Sequence, residues 1–266
     1  MKPLVSVIIP AYNAEKTITD CLNSIYQQTF KNFEIIVVND GSKDNTLSIL
    51  NEHAAKHTDI DLHIYTIKNS GPASARNYGI IHSNGKYIAF LDSDDQWVAT
   101  KLEKQIKCFE EYPEIDLLGC DHFIGKSYPY SNTGIKIISK HRLLFKNYFH
   151  TPCVIAKKSL LQNIRFEEKK KYSEDYFLWL QIACNNYTCA IQKDKLTILY
   201  NKAMYGQSGL SSHIWDMEKG ELRNYSLLYR KHLISFLWYS AATCFSLIKY
   251  TKRILLTLIR KYIIKN

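Results

Sequence analysis

The chain of 266 residues has no C-x-x-C pair among its seven cysteines, no internal repeat, no low-complexity stretch and no acidic residue after Glu221. Each absence removes an explanation. An odd number of cysteines (Cys21, Cys108, Cys120, Cys153, Cys184, Cys189, Cys244) argues against a complete disulfide framework. Most of them sit among apolar neighbours, so buried free thiols in a reducing compartment are expected. The apolar run Leu4 to Pro10 is too short for a secretory leader and turns polar at once, which places the body in the cytoplasm. From Leu222 to Asn266 there are nine basic residues and no Asp or Glu, whereas the remainder carries 26 basic and 25 acidic residues. The net charge of +10 therefore belongs to the tail and gives the body no nucleic-acid-binding character.

What the chain does have is a 46% hydrophobic composition, enough for one large domain or a domain with an appendage. Val5 to Ile9 and Glu34 to Val38 are β-branched runs, closed by Pro10 and by Asn39-Asp-Gly-Ser42. Asn13 and Ser42 are expected to cap the helices that follow. Leu62 to Ile67 alternates as a third strand, Asn69-Ser-Gly-Pro72 turns into a helix over about Ala73 to His82, and Tyr87 to Leu91 is a buried fourth strand. A helix from about Ala99 to Tyr112 and a fifth strand, Asp116 to Cys120, complete a β-α alternation. Such order predicts an α/β fold with a mainly parallel sheet flanked by helices, and it brings Asp40, Arg76, Asp92 and Asp94 to one edge. Beyond Cys120 the pattern is irregular, with a helix near His141 to Phe149, strand-like runs at Cys153 to Ala156, Thr188 to Ile191 and Thr197 to Tyr200, and a strongly apolar helix from Tyr176 to Ala183.

Chemistry concentrates in Phe90-Leu-Asp-Ser-Asp-Asp-Gln-Trp97. Three carboxylates in four positions after a buried strand fit a hard divalent cation, Mn²⁺ or Mg²⁺, which takes one or two protein carboxylates and completes its shell from diphosphate oxygens. A solvated Asp-rich turn before the next helix fits the same letters. Asp40 can accept from a base or ribose, and Arg76 can reach a phosphate or base. Glu174 and Asp175 open a helix behind Ser173, where they either serve the helix dipole or leave a carboxylate free as a general base. His213, in the loop Gly206 to His213, reads as a structural histidine or as a further metal ligand.

The tail reads as three helices, about Ile214 to Tyr229, Leu233 to Ile248 and Thr251 to Ile264. In the last, Leu247, Ile248, Thr251, Ile254 and Leu255 share one face, and Lys249, Lys252, Arg253 and Arg260 the opposite one. That pattern predicts an interfacial helix lying on an anionic membrane surface. The charge-free stretch Leu233 to Ile248 is shorter than the roughly 20 residues a spanning helix needs. A packing helix of the globular body is the other reading.

Taken in order, Val5-Ser-Val-Ile-Ile-Pro-Ala-Tyr-Asn13, Val38-Asn-Asp-Gly-Ser42, Ala75-Arg-Asn-Tyr-Gly79, the Asp92 cluster and Ser173-Glu-Asp-Tyr176 resemble the successive motifs of family 2 glycosyltransferases with the GT-A fold. The resemblance covers about residues 3 to 215. It implies an inverting transfer from a nucleotide-sugar donor, most often a UDP-sugar, to a hydroxyl of a glycan, with surface polysaccharide synthesis on a lipid-linked acceptor as the setting. By the same resemblance, Pro10, Ala11, Tyr12, Asp40 and Arg76 would hold the nucleoside. Asp94 would bind the metal directly, with Asp92 and Ser93 beside it and Asp95 behind. Asp175 would be the base, supported by Glu174. The domains are then 1–215 for the enzyme, divided at 120 into donor and acceptor halves, and 216–266 for a membrane-associating extension at the inner face of the cell membrane. A nucleotide-binding scaffold that has lost catalysis is the alternative, weakened because both acidic motifs are intact.

Overall fold

The computed structural model describes residues 2–124, 134–200 and 213–265, with side chains up to 257 in the last segment. Seven elements build the first half: β1 (Val5–Ala11), α1 (Ile18–Tyr26), β2 (Phe33–Asn39), α2 (Thr46–Lys56), β3 (Leu62–Thr66), α3 (Pro72–His82) and β4 (Tyr87–Phe90). Their strands pair in the order β3-β2-β1-β4, all parallel, with Val5 opposite both Phe33 and Tyr87. Strands covered on both faces tolerate continuous apolar runs, and all seven residues of β2 are buried. Helix α1 turns Ile18, Cys21, Leu22 and Ile25 onto this sheet, each 0% exposed, at about 1.5–3 kcal/mol apiece for the larger side chains.

The expected caps fall elsewhere. Helix α1 starts at Ile18, and Asn13 instead adopts a left-handed φ of 49°. Asn13 Oδ1 accepts from Lys43 N (2.9 Å), while Asn13 N donates to Ser42 Oγ (3.0 Å). These bonds tie the β1–α1 and β2–α2 turns to each other across about 30 positions of sequence, which local capping rules do not anticipate. Asp44 Oδ1 meets the start of α2 at Thr46 N (3.1 Å).

The second half comprises β5 (Gln96–Trp97), α4 (Lys101–Glu111), β6 (Leu117–Ile124), β7 (Ile135–Ile137), α5 (Lys140–Phe145), a 3₁₀ turn (Thr151–Cys153), β8 (Ile155–Lys157), α6 (Lys158–Asn163), α7 (Glu174–Cys184), β9 (Cys189–Leu199), α8 (Ile214–Arg230) and α9 (Phe236–Lys265). Here the sheet continues as β4-β8-β6-β9-β5, with β7 paired to β9. Strand β6 does not extend the parallel ladder from β4, because β8 inserts between them antiparallel to both. The runs expected at Thr188 and Thr197 are one strand, β9, bent where its pairing with β6 shifts register between Cys120 and His122. Its polar centre disguised the continuity: Asp194 is buried and paired with Lys104 Nζ at 2.7 Å.

In the tail, α9 runs unbroken for 30 residues through the expected joint near Lys249, with neither Gly nor Pro to interrupt it. Helix α8 places Tyr225 and Leu228 in the same core cluster as Trp179 and Phe177 of α7. The basic side chains are not all without acidic partners. Lys249 Nζ lies 2.7 Å from Glu221 Oε1 and Arg253 3.9 Å from Glu221 Oε2, while Ser246 Oγ donates to Glu218 Oε1 at 2.8 Å. The polar seam of α9 faces α8, and the apolar row Leu237, Ile248 and Leu255 faces outward at 74%, 66% and 55% exposure.

Candidate active site

Parallel strands end together, so the turns after β1, β2 and β4 open onto a common edge. A cleft of about 1130 Å³ lies there, and its walls include Pro10, Ala11 and Tyr12 from the end of β1, Asp40 after β2, Arg76 of α3, and Asp92, Ser93 and Asp94 after β4. The eight residues read from the sequence as donor-binding thus line one cavity. Tyr12 is nearly half exposed at its mouth, available to stack on a planar base. The sequence reading missed Lys16, Lys43 and Lys171 in the same lining. Their only sequence signal is basic character beside turns rich in acids, although three ammonium groups suit a diphosphate well.

Asp40 is buried and already committed on both oxygens: Oδ1 accepts from Ser70 N (2.7 Å) and Oδ2 from Gly71 N (2.8 Å). It therefore also fixes the turn into α3, whose Gly71 has a φ of 89°. Arg76 is committed too. Its Nη2 lies 2.7 Å from Asp92 Oδ1, its Nη1 3.4 Å from Glu174 Oε1, and its guanidinium carbon 5.3 Å from the Phe166 ring centroid. Burial works against the charge on Arg76, but Asp92 and Glu174 outweigh it and hold the group above its ordinary value. Arg76 thus bridges the acid after β4 to the acid opening α7, 98 positions apart.

Burial, with Asp175 adding to it and Arg76 opposing, pushes the Glu174 carboxyl up to about 7. Ser173 precedes α7 with φ 55° and makes no side-chain cap, contrary to expectation. Asp175 Oδ1 instead lies 2.6 Å from Tyr176 N. Neither Glu174 nor Asp175 belongs to the lining of the cleft; Glu174 meets it through Arg76. His213 is exposed at the start of α8, its Nδ1 3.8 Å from Asp216 Oδ2, and is likewise outside the lining. Residues 206–212 of the loop that carries it lie outside the described residues.

For a divalent cation, Asp92 and Asp94 supply two hard oxygen donors facing the same cleft, the number such an ion takes when phosphate oxygens complete its shell. They fit that role. The compact His, Asp and Glu group among the described residues is elsewhere: Glu34, Asp61 and His63 bring ligand atoms within 4.8 Å of one another at the opposite ends of β2 and β3. Glu34 is already bound there by Ser6 Oγ (2.5 Å) and Asn84 N (2.5 Å), so this group is remote from the acidic turn and structurally employed.

The sequence model described as Glycosyl transferase family 2 matches residues 6–167. Over 216 residues the chain is 33% identical to the UDP-Glc:alpha-D-GlcNAc-diphosphoundecaprenol beta-1,3-glucosyltransferase WfgD of Escherichia coli, covering 79% of this chain and 80% of that protein. It is 38% identical over 206 residues to an uncharacterized glycosyltransferase of Rickettsia bellii (strain RML369-C), covering 71% of this chain but only 28% of that longer protein. Among solved structures, S. aureus TarS 1-349 in complex with UDP superposes with a TM-score of 0.64 at 26% identity, over 85% of this chain and 65% of that one. The mannosyltransferase PcManGT from Pyrobaculum calidifontis, in complex with GDP-Man and Mn²⁺, gives 0.68 at 18% identity over 98% and 81%, a likeness of fold alone. The sheet and its flanking helices have the GT-A fold.

Proposed function

We propose, starting from the fact that this chain belongs to glycosyl transferase family 2, that it moves a sugar with inversion from a UDP-sugar to a hydroxyl of a lipid-linked glycan in surface polysaccharide synthesis. One observation carries the reading: Arg76 lies between Asp92 on the cleft and Glu174 beside Asp175, so the donor diphosphate site and the acid pair form one connected unit. Tyr12 and Asp40 would hold the nucleoside, and Lys16, Lys43 and Lys171 would draw the diphosphate in. Asp94 and Asp92 would hold Mn²⁺ or Mg²⁺, which supplies neutralisation of charge on the departing diphosphate. His213 enters no step on this account, since it is exposed and pairs with Asp216.

Asp175 takes the proton from the acceptor hydroxyl as that oxygen attacks the anomeric carbon, and the glycosidic bond to diphosphate breaks on the opposite side. Glu174, kept partly protonated near neutral pH, limits repulsion beside Asp175. The WfgD relative's printed substrates, UDP-Glc and GlcNAc-diphosphoundecaprenol, set the first assay pair. Transfer should fall by about 10²-fold or more in Asp175→Asn and Asp94→Ala. Full turnover by either variant, folded, would refute the site.

The outward row of α9 adds a membrane surface as partner. Among the described residues no helix is long and apolar enough to cross a membrane, so the expected contact is peripheral, at the inner face. Flotation with anionic liposomes should carry the full chain and leave a version ending at Ser235 behind; equal recovery of both would remove this part of the proposal.

A further inference from the structure

The segment 166–175 carries the acid pair at its end, and side-chain amides hold it at both extremes. At the start, Asn77 of α3 donates from Nδ2 to the Phe166 carbonyl (2.9 Å) and to Glu168 Oε1 (3.0 Å), and its Oδ1 accepts from Phe166 N (3.1 Å). At the end, Asn224 of α8 donates from Nδ2 to the Ser173 carbonyl (3.2 Å), while its Oδ1 accepts from Lys170 Nζ. Lys170 also donates to the carbonyls of Gly220 (3.1 Å) and Ser173 (3.4 Å). Phe177 N reaches the same Ser173 oxygen at 3.1 Å. Three donors therefore converge on one carbonyl, immediately before Glu174 and Asp175.

That carbonyl belongs to a serine at φ 55° and ψ 31°, a left-handed conformation that a non-glycine residue keeps only when its surroundings impose it. Ser173 makes no cap of its own, so the restraint comes from Lys170 and α8. Asn224 is 0% exposed, and neither end of its amide could turn to water instead. The approach of α8 is close enough to demand glycine: a Cβ on Gly220 would stand 2.9 Å from the Tyr172 carbonyl oxygen and 3.1 Å from Tyr172 Cβ. Lys170, Tyr172, Ser173, Gly220 and Asn224 all lie beyond the 6–167 segment that carries the family match.

We infer that α8 belongs to the catalytic unit, with Asn224, Lys170 and Gly220 acting as positioning residues that lock Ser173 in its left-handed turn and so aim Glu174 and Asp175 at the acceptor hydroxyl. The inference rests on the proposed transfer reaction and adds to it a device supplied from outside the donor half. A displacement of about 1 Å at a reacting group costs on the order of 10²-fold in rate, so loosening this turn acts on kcat. The donor cleft is built mainly on the ends of β1, β2 and β4, and Lys171 is the one residue of this segment that lines it, so the effect on donor binding is the smaller of the two.

The test uses the full-length protein with UDP-glucose, a synthetic GlcNAc-diphosphate lipid and Mn²⁺, alongside UDP binding by calorimetry and amide hydrogen exchange. In Asn224→Ala, kcat should drop about 10- to 100-fold while UDP affinity, to which this segment contributes only Lys171, falls far less, and the Phe177 amide should exchange faster. Gly220→Ala, which displaces Tyr172 without removing a hydrogen bond, should reproduce the drop and stands in if Asn224→Ala does not fold. Lys170→Arg should retain more activity than Lys170→Met. Leu228→Ala, on the same helix but in the core, should lower Tm and leave kcat at 15 °C unchanged, separating positioning from stability.

Wild-type kcat and exchange in folded Asn224→Ala and Gly220→Ala would overturn the inference. So would a loss of UDP affinity that parallels the loss of kcat, or an equal kcat loss in Leu228→Ala. Asp175→Asn distinguishes the two levels: if it stays active, the transfer mechanism itself is wrong, whereas an inactive Asp175→Asn beside a fully active Asn224→Ala rejects only the role of α8. Should the wild type not use this substrate pair, unaltered exchange at Phe177 in Asn224→Ala still rejects the positioning role.

Discussion

Replacing Arg76 by Met keeps the unbranched stem of the side chain and removes its guanidinium from a site where the arginine side chain is 6% exposed. Two carboxylates then lose their common partner, Asp92 at 2.7 Å and Glu174 at 3.4 Å, with side chains 28% and 12% exposed. Breaking a buried ion pair from one side costs about 3–5 kcal/mol, and the partial exposure of Asp92 puts this case near about 3 kcal/mol. At about 2–4 °C per kcal/mol for a chain of this size, Tm at pH 8 should fall by roughly 6–12 °C. The loss must depend on pH. Glu174 titrates near 7 in the folded wild type and higher still without Arg76, so at pH 5 it is protonated in both proteins and most of its share of the penalty disappears. Calorimetric scans from pH 5 to 8 read this directly. A Tm difference that is absent, or constant across that range, would refute the reading of Arg76 as the bridge between the two acids.

Further outcomes follow from other groups. Glu174 has a folded value near 7, above its ordinary 4.5, so the stability it contributes is fully present below about 4.5 and is lost as pH rises through 7; Glu174→Gln should remove that decline in a plot of Tm against pH. Glu221 behaves oppositely: burial opposes its ionisation but Lys249 prevails and lowers it, so its contribution is present above 4.5 and disappears on acidification. Glu221→Gln should cost about 1.5 kcal/mol at pH 7 in urea unfolding, with the difference vanishing in acid. Gly85→Ala would place a Cβ 2.6 Å from Ser6 N and 2.7 Å from the Val5 carbonyl carbon, both backbone atoms, and should destabilise by about 1–3 kcal/mol in the same assay.

The parts of the fold legible in sequence are those set by local pattern. Strands β1, β2 and β4 are apolar but for Ser6, Glu34 and Asn39 because both faces are covered, and their ends place Asp40 and Asp92 without further information. Strand β8 is three residues long, and its place between β4 and β6 depends on partners Ala89 and Leu118, far off in sequence. In the site, the acids after β4 were readable as cleft-facing carboxylates. The partnership of Arg76 was not, since a basic residue at a helix start says nothing about an acid 98 positions away. The tail shows the same limit: a helical repeat in α9 reveals two faces, but Glu218 and Glu221 on α8 decide which one turns inward.

Asp95 is the least conspicuous of the acids after β4, buried at 2% exposure behind the pair that faces the cleft. Its amide donates to the Asp92 carbonyl (3.0 Å), and its Oδ1 accepts from Tyr200 N (3.0 Å), 105 positions later. The next two residues, Gln96 and Trp97, pair with Ile198 and Thr197 of β9. The acidic turn and the far end of β9 are consequently tied together at Asp95, so the carboxylates at the cleft are anchored from the second half of the sheet as well as from β4.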